Sequence, residues 1–282
     1  MERNEEEIKN VVKERYGRLA KEQRLSCCAP EAGVLSNCCS TDAVSCQPQT
    51  LAERLYTSEE LEKLPKDITD ISLGCGNPTA IAELNEGEVV LDLGSGGGLD
   101  CFLAAQRVGE QGRVIGLDMT PEMIQLAREN AQKIGASNVE FRLGEMEHMP
   151  VEDNSVDVII SNCVINLSPD KDAVFRETYR VLKPGGRLCV SDIALLGELP
   201  KEVKESLDQW VGCIAGALNE KTYLDKIQAA GLVTVAVDRT TVPFYAECEA
   251  PQAQNPDEHQ PYLDLRDKVE SIRVKAFKPN KA

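Results

Sequence analysis

The sequence Leu91-Asp92-Leu93-Gly94-Ser95-Gly96-Gly97-Gly98 constrains the fold of this chain more than any other segment. The apolar run 89–93 is typical of a short buried strand, and the apolar pattern over 99–108 predicts a helix. Glycines at a strand-to-helix junction let the backbone approach a ligand closely, and the helix N-terminus adds N–H donors and a partial positive charge. We therefore expect a ligand to bind at this junction.

Strands and helices alternate regularly from Glu88 to Asp192. Such alternation predicts an α/β fold with a doubly wound, mostly parallel sheet of the Rossmann-like kind. With two closing strands near the C-terminus, we expect seven strands. The predicted strands are 89–93, 113–118, 139–142, 156–161, 187–192, 232–237 and 271–276, and the predicted helices of the core are 99–108, 121–134 and 170–182.

Additional segments flank this core on both sides. Before it we expect an amphipathic helix, a Cys-rich segment without periodicity and a short helix capped by Ser58; after strand five we expect a helical insert. The flanking elements are the helix 5–24, the Cys-rich segment 26–50, the short helix 58–64, and two helices of the insert, 201–218 and 221–230. The predicted organisation is 1–70 for the N-terminal helix and Cys-rich segment, 71–195 for the cofactor-binding core, and 196–282 for the acceptor-side insert and closing strands.

The charge balance excludes several classes of function. The formal net charge is −16, and the sequence contains no cluster of Lys and Arg that could form a basic face, so nucleic acid is not an expected partner. No apolar run is long enough to span a membrane, and the charged segment Met1 to Glu7 does not resemble an export signal. We expect a cytoplasmic, monomeric protein that does not bind membranes.

The glycine loop is similar to that of class I methyltransferases, which bind S-adenosylmethionine. Its spacing is shorter than the Gly-x-Gly-x-x-Gly of dinucleotide-binding folds, which disfavours NAD. Asp118 ends strand two, where a carboxylate can accept both ribose hydroxyls, and Leu182-Lys183-Pro184-Gly185-Gly186 resembles the turn before strand five of that superfamily. The resemblance implies S-adenosylmethionine as the cofactor. The residues expected to bind it are Asp92, Gly94, Ser95, Gly96, Gly98, Asp118, Met119, Gly144, Glu145, Met146 and Asn162.

Three cysteines lie in unusual settings for core residues. They are found in Gly74-Cys75-Gly76-Asn77-Pro78, in Ser161-Asn162-Cys163-Val164-Ile165-Asn166-Leu167 directly after strand four, and in Trp210-Val211-Gly212-Cys213. Because ligands of doubly wound folds bind beyond the carboxyl ends of the strands, a residue just after strand four should face the transferred group. Together the three segments resemble the arsenite methyltransferases.

The resemblance implies that Cys75, Cys163 and Cys213 bind trivalent arsenic, presented as arsenite or its thiol conjugates. Arsenic(III) is soft and prefers thiolates, and three thiolate ligands leave its lone pair free to attack the methyl group of S-adenosylmethionine. The resemblance also implies that an N-terminal cysteine forms a disulfide with Cys75, which supplies electrons and which thioredoxin or glutathione then reduces. Cys46, Cys39 and Cys38 are the candidates.

Other interpretations of these residues remain open at this stage. Methylation of a carbon or oxygen acceptor, as in quinone biosynthesis, would use the same glycine loop but gives the three cysteines no role. A metalloid-binding sensor would use the cysteines but would not need the cofactor loop. A structural metal is not expected, because the adjacent cysteines 27–28 and 38–39 do not match Cys-x-x-Cys zinc spacing. Cys101 and Cys189 are expected to be core residues.

Overall fold

The computed structural model describes residues 4–22, 50–69, 74–199, 213–240 and 268–280. Before the sheet begins, the helices are α1 (Glu5–Glu22), α2 (Leu51–Leu55), α3 (Ser58–Leu61), α4 (Lys66–Thr69) and α5 (Pro78–Ala82). The alternating part comprises β1 (Val89–Leu93), α6 (Leu99–Val108), β2 (Arg113–Asp118), α7 (Pro121–Ile134), β3 (Val139–Leu143), β4 (Val156–Asn162), a short 3-10 turn (Ile165–Leu167), α8 (Lys171–Val181) and β5 (Leu182–Leu195). The last elements are β6 (Leu218–Asn219), α9 (Glu220–Ala229), β7 (Val233–Thr240) and β8 (Val269–Phe277).

The sheet has the order β3-β2-β1-β4-β5-β8-β7, which confirms the doubly wound α/β fold. Strands β1 to β5 are parallel, whereas β8 runs antiparallel to both β5 and β7. The described part of the sheet contains eight strands, one more than the seven predicted, because the two-residue β6 pairs with β5 at Ala194 and Leu195. So short a strand has no period-2 pattern by which a sequence could reveal it.

Several local predictions need correction. Strand β5 begins at Leu182, so Lys183-Pro184-Gly185-Gly186 lies in an irregularity within the strand, where the pairing with β4 shifts between Val156 and Val158. The short helix α3 is capped by Thr57, whose side chain accepts the N–H of Glu60. The helix predicted over 201–218 does not extend to its expected end, because 213–217 form turns and Leu218 belongs to β6; residues 201–212 lie outside the described ranges.

The core has one layer on each face of the sheet. Alternate residues of β1 point to opposite faces of the sheet. On one face Leu91 and Leu93 belong to the same cluster as Phe175 and Tyr223, and on the other Val90 belongs to the cluster of Phe102. This two-sided burial explains why the parallel strands are almost entirely apolar in sequence. Within the described residues, no helix is both long enough and apolar enough to cross a membrane.

Helix α1 lies across the carboxyl edge of the sheet. Its apolar residues Ile8 and Val12 are buried in a small cluster that also contains the three cysteines discussed below. Its charged face binds the segment after β3, where Lys9 Nζ lies 2.8 Å from Glu145 and Lys13 Nζ lies 3.0 Å from the same carboxylate. The helix therefore covers the edge at which ligands of such folds bind.

Candidate active site

A deep cavity opens at the carboxyl ends of β1, β2 and β4. The glycine loop forms its floor, Asp118 and Met119 extend from the end of β2, and Asn162, Cys163 and Val164 follow β4. Helix α1 contributes Lys9, Val12 and Tyr16 to the opposite wall. The cavity thus lies where the strand order of the sheet reverses, which is the usual ligand position of doubly wound folds.

The glycine loop is held open by backbone hydrogen bonds. The N–H groups of Gly94 and Ser95 both donate to Leu117 O, at 2.7 and 2.9 Å. Gly94 and Gly96 adopt φ of 68° and 51°, the left-handed region that favours glycine. A Cβ on Gly94 would lie 2.3 Å from the Val164 side chain, so this position tolerates no larger residue.

Asp118 joins the glycine loop to the end of β2. Its carboxylate accepts the N–H of Gly96 at 3.0 Å and the N–H of Thr120 at 2.8 Å. Burial raises the pKa of Asp118 above its ordinary value. The residue is therefore fixed in orientation at the cavity wall before any ligand arrives.

Two further carboxylates line the same cavity, Asp92 and Asp100. Asp100 accepts hydrogen bonds from Tyr56 Oη at 2.8 Å and from Asn162 Nδ2 at 3.0 Å, and burial raises its pKa to about 6. Burial also raises the pKa of Asp92 well above its usual range. Together with Asp118 they give the cavity an acidic lining that suits a cationic ligand.

Most of the residues predicted to bind the cofactor line this cavity: Asp92, Gly94, Ser95, Gly96, Asp118, Met119, Gly144, Met146 and Asn162. Gly98 does not, because it caps α6 beneath the loop, where a Cβ would lie 2.8 Å from the Phe102 ring. Glu145 does not line it either; its carboxylate pairs with Lys9 and Lys13 of α1. Glu147 is the glutamate of this segment that lines the cavity.

The three cysteines come together beside the cavity. Cys75, Cys163 and Cys213 are 2%, 6% and 5% exposed and belong to one buried cluster. The sulfur atoms of Cys75 and Cys163 and a carboxylate oxygen of Asp192 all lie within 4.8 Å of one another. Cys213 Sγ donates to Cys163 O at 2.8 Å. Cys163 also lines the cavity, so the thiol cluster and the cavity share a wall.

The backbone at two of the cysteines is strained. Cys163 and Cys213 have φ of 60° and 64°, a left-handed conformation that is uncommon for residues with a side chain. Such strain costs energy and persists where the surrounding structure imposes it, often at functional sites. Here it directs both sulfur atoms into the cluster with Cys75.

Protonation of the thiols follows from their surroundings. Hydrogen bonding with Cys213 and Cys75, together with burial, raises the pKa of Cys163 well above its usual value. Burial is the main cause of the raised pKa of Cys75. Both residues are therefore thiols at neutral pH and must lose protons when they bind a soft ion.

A buried polar network supports the cluster from below. Asp192 accepts hydrogen bonds from Asn166 Nδ2, the N–H of Ile193 and Tyr223 Oη, and burial raises its pKa to about 7. Lys171 Nζ donates to Asn166 O at 3.2 Å and to Ser168 O at 2.8 Å, and burial lowers its pKa to about 8. These bonds fix the 3-10 turn that follows Cys163.

Sequence reasoning missed several residues of this site. Tyr16 and Tyr56 carry no local signal, because nothing in the spacing of α1 or of the segment before β1 indicates that they reach the sheet edge. Asp192 lies in the buried strand β5, where no pattern marks it as part of a site. Asp100 was the most accessible to inference, since it lies in the first turn of the helix after the glycine loop. The candidate redox residues Cys38, Cys39 and Cys46 lie outside the described residues.

Comparison with known proteins agrees with this geometry. A family model described as a methyltransferase domain matches residues 84–231. An arsenite methyltransferase of Halobacterium salinarum is 42% identical over 99% of this chain and 68% of its own length, and that of Mus musculus is 36% identical over 77% of this chain and 55% of its own. This chain thus spans about two thirds of the archaeal relative and about half of the mouse one.

A solved structure gives the same result. The crystal structure of an arsenic(III) S-adenosylmethionine methyltransferase from Chlamydomonas reinhardtii matches with a TM-score of 0.64 at 32% identity, covering 83% of this chain and 75% of that one. Fold, thiol cluster and relatives all agree, and this chain belongs to the arsenite methyltransferase family.

Proposed function

We propose that this chain transfers a methyl group from S-adenosylmethionine to trivalent arsenic held by Cys75, Cys163 and Cys213. The observation that carries the proposal is the shared wall: three buried thiols meet beside an acidic cavity, and Cys163 belongs to both. Methylation of a carbon or oxygen acceptor would leave this cluster without a role. A sensor would leave the cavity without one.

The residues present fit S-adenosylmethionine. Asp118 offers a carboxylate for the ribose hydroxyls. The acidic residues Asp92 and Asp100 would attract the positively charged sulfonium and ammonium groups. Ser95 Oγ is buried at the loop and has no hydrogen-bond partner among the described residues. When bound, the cofactor supplies an electrophilic methyl group to a nucleophile.

The thiols prepare that nucleophile. Arsenous acid reacts with three thiols to give one tris-thiolate arsenic and three molecules of water, so each S–H proton leaves with an arsenic-bound hydroxide. Arsenic keeps its oxidation state in this exchange and retains its lone pair. The cluster is almost fully buried, so the bound arsenic is protected from water, and the fixed cysteines hold it beside the cavity.

Electrons are needed after transfer, because methylation raises arsenic from the trivalent to the pentavalent state. Attack of a second thiol on the arsenic-bound sulfur forms a disulfide, breaks the As–S bond and releases one proton; the electron pair of that bond stays on arsenic, which becomes trivalent again. We propose Cys75 as one partner and Cys46, Cys39 or Cys38 as the other, with thioredoxin or glutathione reducing the disulfide. In repeated cycles the enzyme would accept methylarsenite as well as arsenite, and its biological role would be arsenic detoxification.

The test is direct. Purified protein is incubated with isotopically labelled S-adenosylmethionine, arsenite and a thiol reductant, and arsenic species are separated and quantified by mass spectrometry. We expect labelled methylarsenic, lost in Cys163→Ser and Cys213→Ser but kept in Cys189→Ala, whose buried thiol lies in the core away from the cluster. Absence of methylated arsenic from the wild-type reaction would refute the proposal, and arsenite binding without transfer would favour a sensor.

A further inference from the structure

The side-chain amide of Asn162 has more acceptors around it than hydrogens to donate. Its Nδ2 lies 2.8 Å from Gly76 O, 3.0 Å from Tyr56 Oη and 3.0 Å from Asp100 Oδ2. An amide nitrogen carries two hydrogens, so the three acceptors compete for them. The amide is also held in place by packing, because a Cβ added to Gly74 would lie 2.2 Å from Nδ2. A stronger bond to one acceptor therefore weakens the bonds to the others.

Tyr56 lies behind the cavity wall and joins two of the competing groups. It follows α2 and is 5% exposed, and it is not among the described residues that line the cavity. Its hydroxyl donates to Asp100 Oδ1 at 2.8 Å and accepts from Asn162 Nδ2 at 3.0 Å. Any effect of this hydroxyl on ligand binding must therefore pass through Asp100 and Asn162.

The groups that compete for Asn162 belong to different sites. Asp100 lines the cofactor cavity, whereas Gly76 lies in the Cys75 turn, whose N–H groups at Cys75 and Gly76 both donate to Asn162 Oδ1. An ionised carboxylate is a stronger acceptor than a carbonyl oxygen, so Asp100 draws a hydrogen of Asn162 away from Gly76 O. A cationic ligand that pairs with Asp100 weakens this attraction, and the bond from Asn162 to Gly76 O becomes stronger.

We propose that Tyr56 is a positioning residue that, through Asn162, couples occupancy of the cofactor cavity to the Cys75 turn. A bound cationic cofactor tightens the turn that carries Cys75. Because coupling between two sites is reciprocal, arsenite bound at the thiols raises the affinity for the cofactor by the same factor. The arsenite half of this coupling rests on the proposed function, but tightening of the turn can be measured without arsenic.

The first experiment measures hydrogen exchange at the backbone N–H groups of Cys75 and Gly76 by mass spectrometry of the full chain. The ligand is sinefungin, an unreactive analogue of S-adenosylmethionine that carries an amine in place of the sulfonium. Sinefungin should slow exchange at both groups about fivefold in the wild type, the size expected when hydrogen bonds strengthen. In Tyr56→Phe the effect should fall below about twofold, because two acceptors then remain for two hydrogens and the bond to Gly76 O no longer depends on the ligand.

Two controls separate this effect from general stabilisation. The N–H of Gly185 donates to Lys278 O at 2.9 Å near the start of β5, away from the cavity, and its exchange should not respond to sinefungin. Tyr179→Phe removes the hydroxyl of a half-buried tyrosine on α8 and keeps the ring that Lys278 Nζ contacts, 4.4 Å from its centroid. This variant should respond like the wild type. The proposal is wrong if sinefungin slows Gly185 as much as Cys75, or slows Tyr56→Phe as much as the wild type.

The second experiment measures the Kd of sinefungin by calorimetry with and without arsenite, in a phosphine reductant. Arsenite should lower this Kd about fivefold in the wild type and less than about twofold in Tyr56→Phe. The ratio of the two Kd values is the readout, since a merely structural loss of affinity would leave it unchanged. Adding Asp100→Asn to Tyr56→Phe should reduce the ratio no further, because both residues act on the same amide.

The outcomes separate Tyr56 from the proposed function. An undiminished ratio in Tyr56→Phe would overturn the proposal even if arsenite methylation is established. Conversely, exchange at Cys75 and Gly76 that sinefungin slows in the wild type but not in Tyr56→Phe would support the role of Tyr56, even in a protein that does not bind arsenite and so refutes the proposed function.

Discussion

Asn162 Oδ1 accepts the backbone N–H of Cys75 at 3.0 Å, which ties the turn before the sheet to the end of β4. The same oxygen accepts the N–H of Gly76 at 3.2 Å, while Nδ2 donates to Gly76 O at 2.8 Å and to Asp100 at 3.0 Å. One amide therefore connects the thiol cluster with the acidic lining of the cavity.

Replacing Asn162 by Ala should damage both sites at once. Two backbone N–H groups and the Asp100 carboxylate lose partners, which should lower the free energy of unfolding by about 2–4 kcal/mol. The Cys75 turn is no longer fixed, so arsenite affinity should fall at least about tenfold. Urea denaturation and arsenite titration measure the two effects.

Asn138→Ala is the matched control for that variant. Asn138 Nδ2 donates to Ala105 O at 3.1 Å and to Gly109 O at 2.9 Å, at the opposite edge of the sheet. It should lose comparable stability and keep its arsenite affinity. Equal loss of affinity in both variants would show that Asn162 acts through global stability alone.

Gly76→Ala should disrupt the thiol cluster without closing the cofactor cavity. The new Cβ would overlap Ser191 Oγ at 1.9 Å, so the Cys75 turn must shift away from β5. We expect loss of arsenite binding with a change of less than about threefold in S-adenosylmethionine affinity, measured by calorimetry. Gly197→Ala, where a Cβ would meet no atom within 4 Å, should bind both like the wild type. Unchanged arsenite binding in Gly76→Ala would contradict the packing argument.

The pKa of Asp100, raised to about 6 by burial, predicts how cofactor affinity depends on pH. The carboxylate ionises as the pH rises through that value and then attracts a cationic ligand, so affinity for S-adenosylmethionine should rise from about pH 5 through pH 6 and level off near pH 7. Asp100→Asn should flatten this rise. The neutral thioether S-adenosylhomocysteine should show a weaker dependence in the wild type. Identical pH profiles for Asp100→Asn and wild type, measured by calorimetry, would assign the dependence to another group.

The ion pairs of α1 predict that this helix controls access to the thiols. Lys9 and Lys13 bind Glu145, and Lys9 also lies 3.3 Å from Glu147, so the double variant Lys9→Ala/Lys13→Ala should loosen the helix over the cluster. Partly exposed pairs stabilise by at most about 1 kcal/mol each. We therefore expect little change in melting temperature but several-fold faster modification of Cys75 and Cys163 by a thiol reagent.

Lys21→Ala provides the comparison for the α1 prediction. Lys21 pairs with Glu122 at 2.9 Å near the other end of the same helix and is largely exposed. This variant should leave thiol reactivity unchanged. In the double variant Lys9→Ala/Lys13→Ala, added salt should not change thiol reactivity either, because the ion pairs with Glu145 that salt would screen are already absent. If Lys21→Ala exposes the thiols equally, the covering is a property of the whole helix and not of the pairs with Glu145.

The alternating strands, the glycine loop and Asp118 followed from the sequence because each depends on local signals. A buried parallel strand is apolar along its whole length, and a loop that approaches a ligand needs glycine. The prediction of Glu145 as a cavity residue shows the limit of such reasoning. Glu145 and Glu147 both follow β3 in the sequence and both pair with Lys9, and only the tertiary structure decides that Glu147 is the one that lines the cavity.

The sequence by itself determined the fold class and the three cysteine segments, since hydrophobic periodicity and glycine placement act over short distances. Only the tertiary structure decided that Asn162 holds Cys75, that Cys163 belongs to both the cluster and the cavity wall, and that Ser191 of β5 packs against the turn at Gly76. These contacts join residues far apart in the chain, and packing of strands and helices, which no local pattern encodes, brings them within hydrogen-bonding distance.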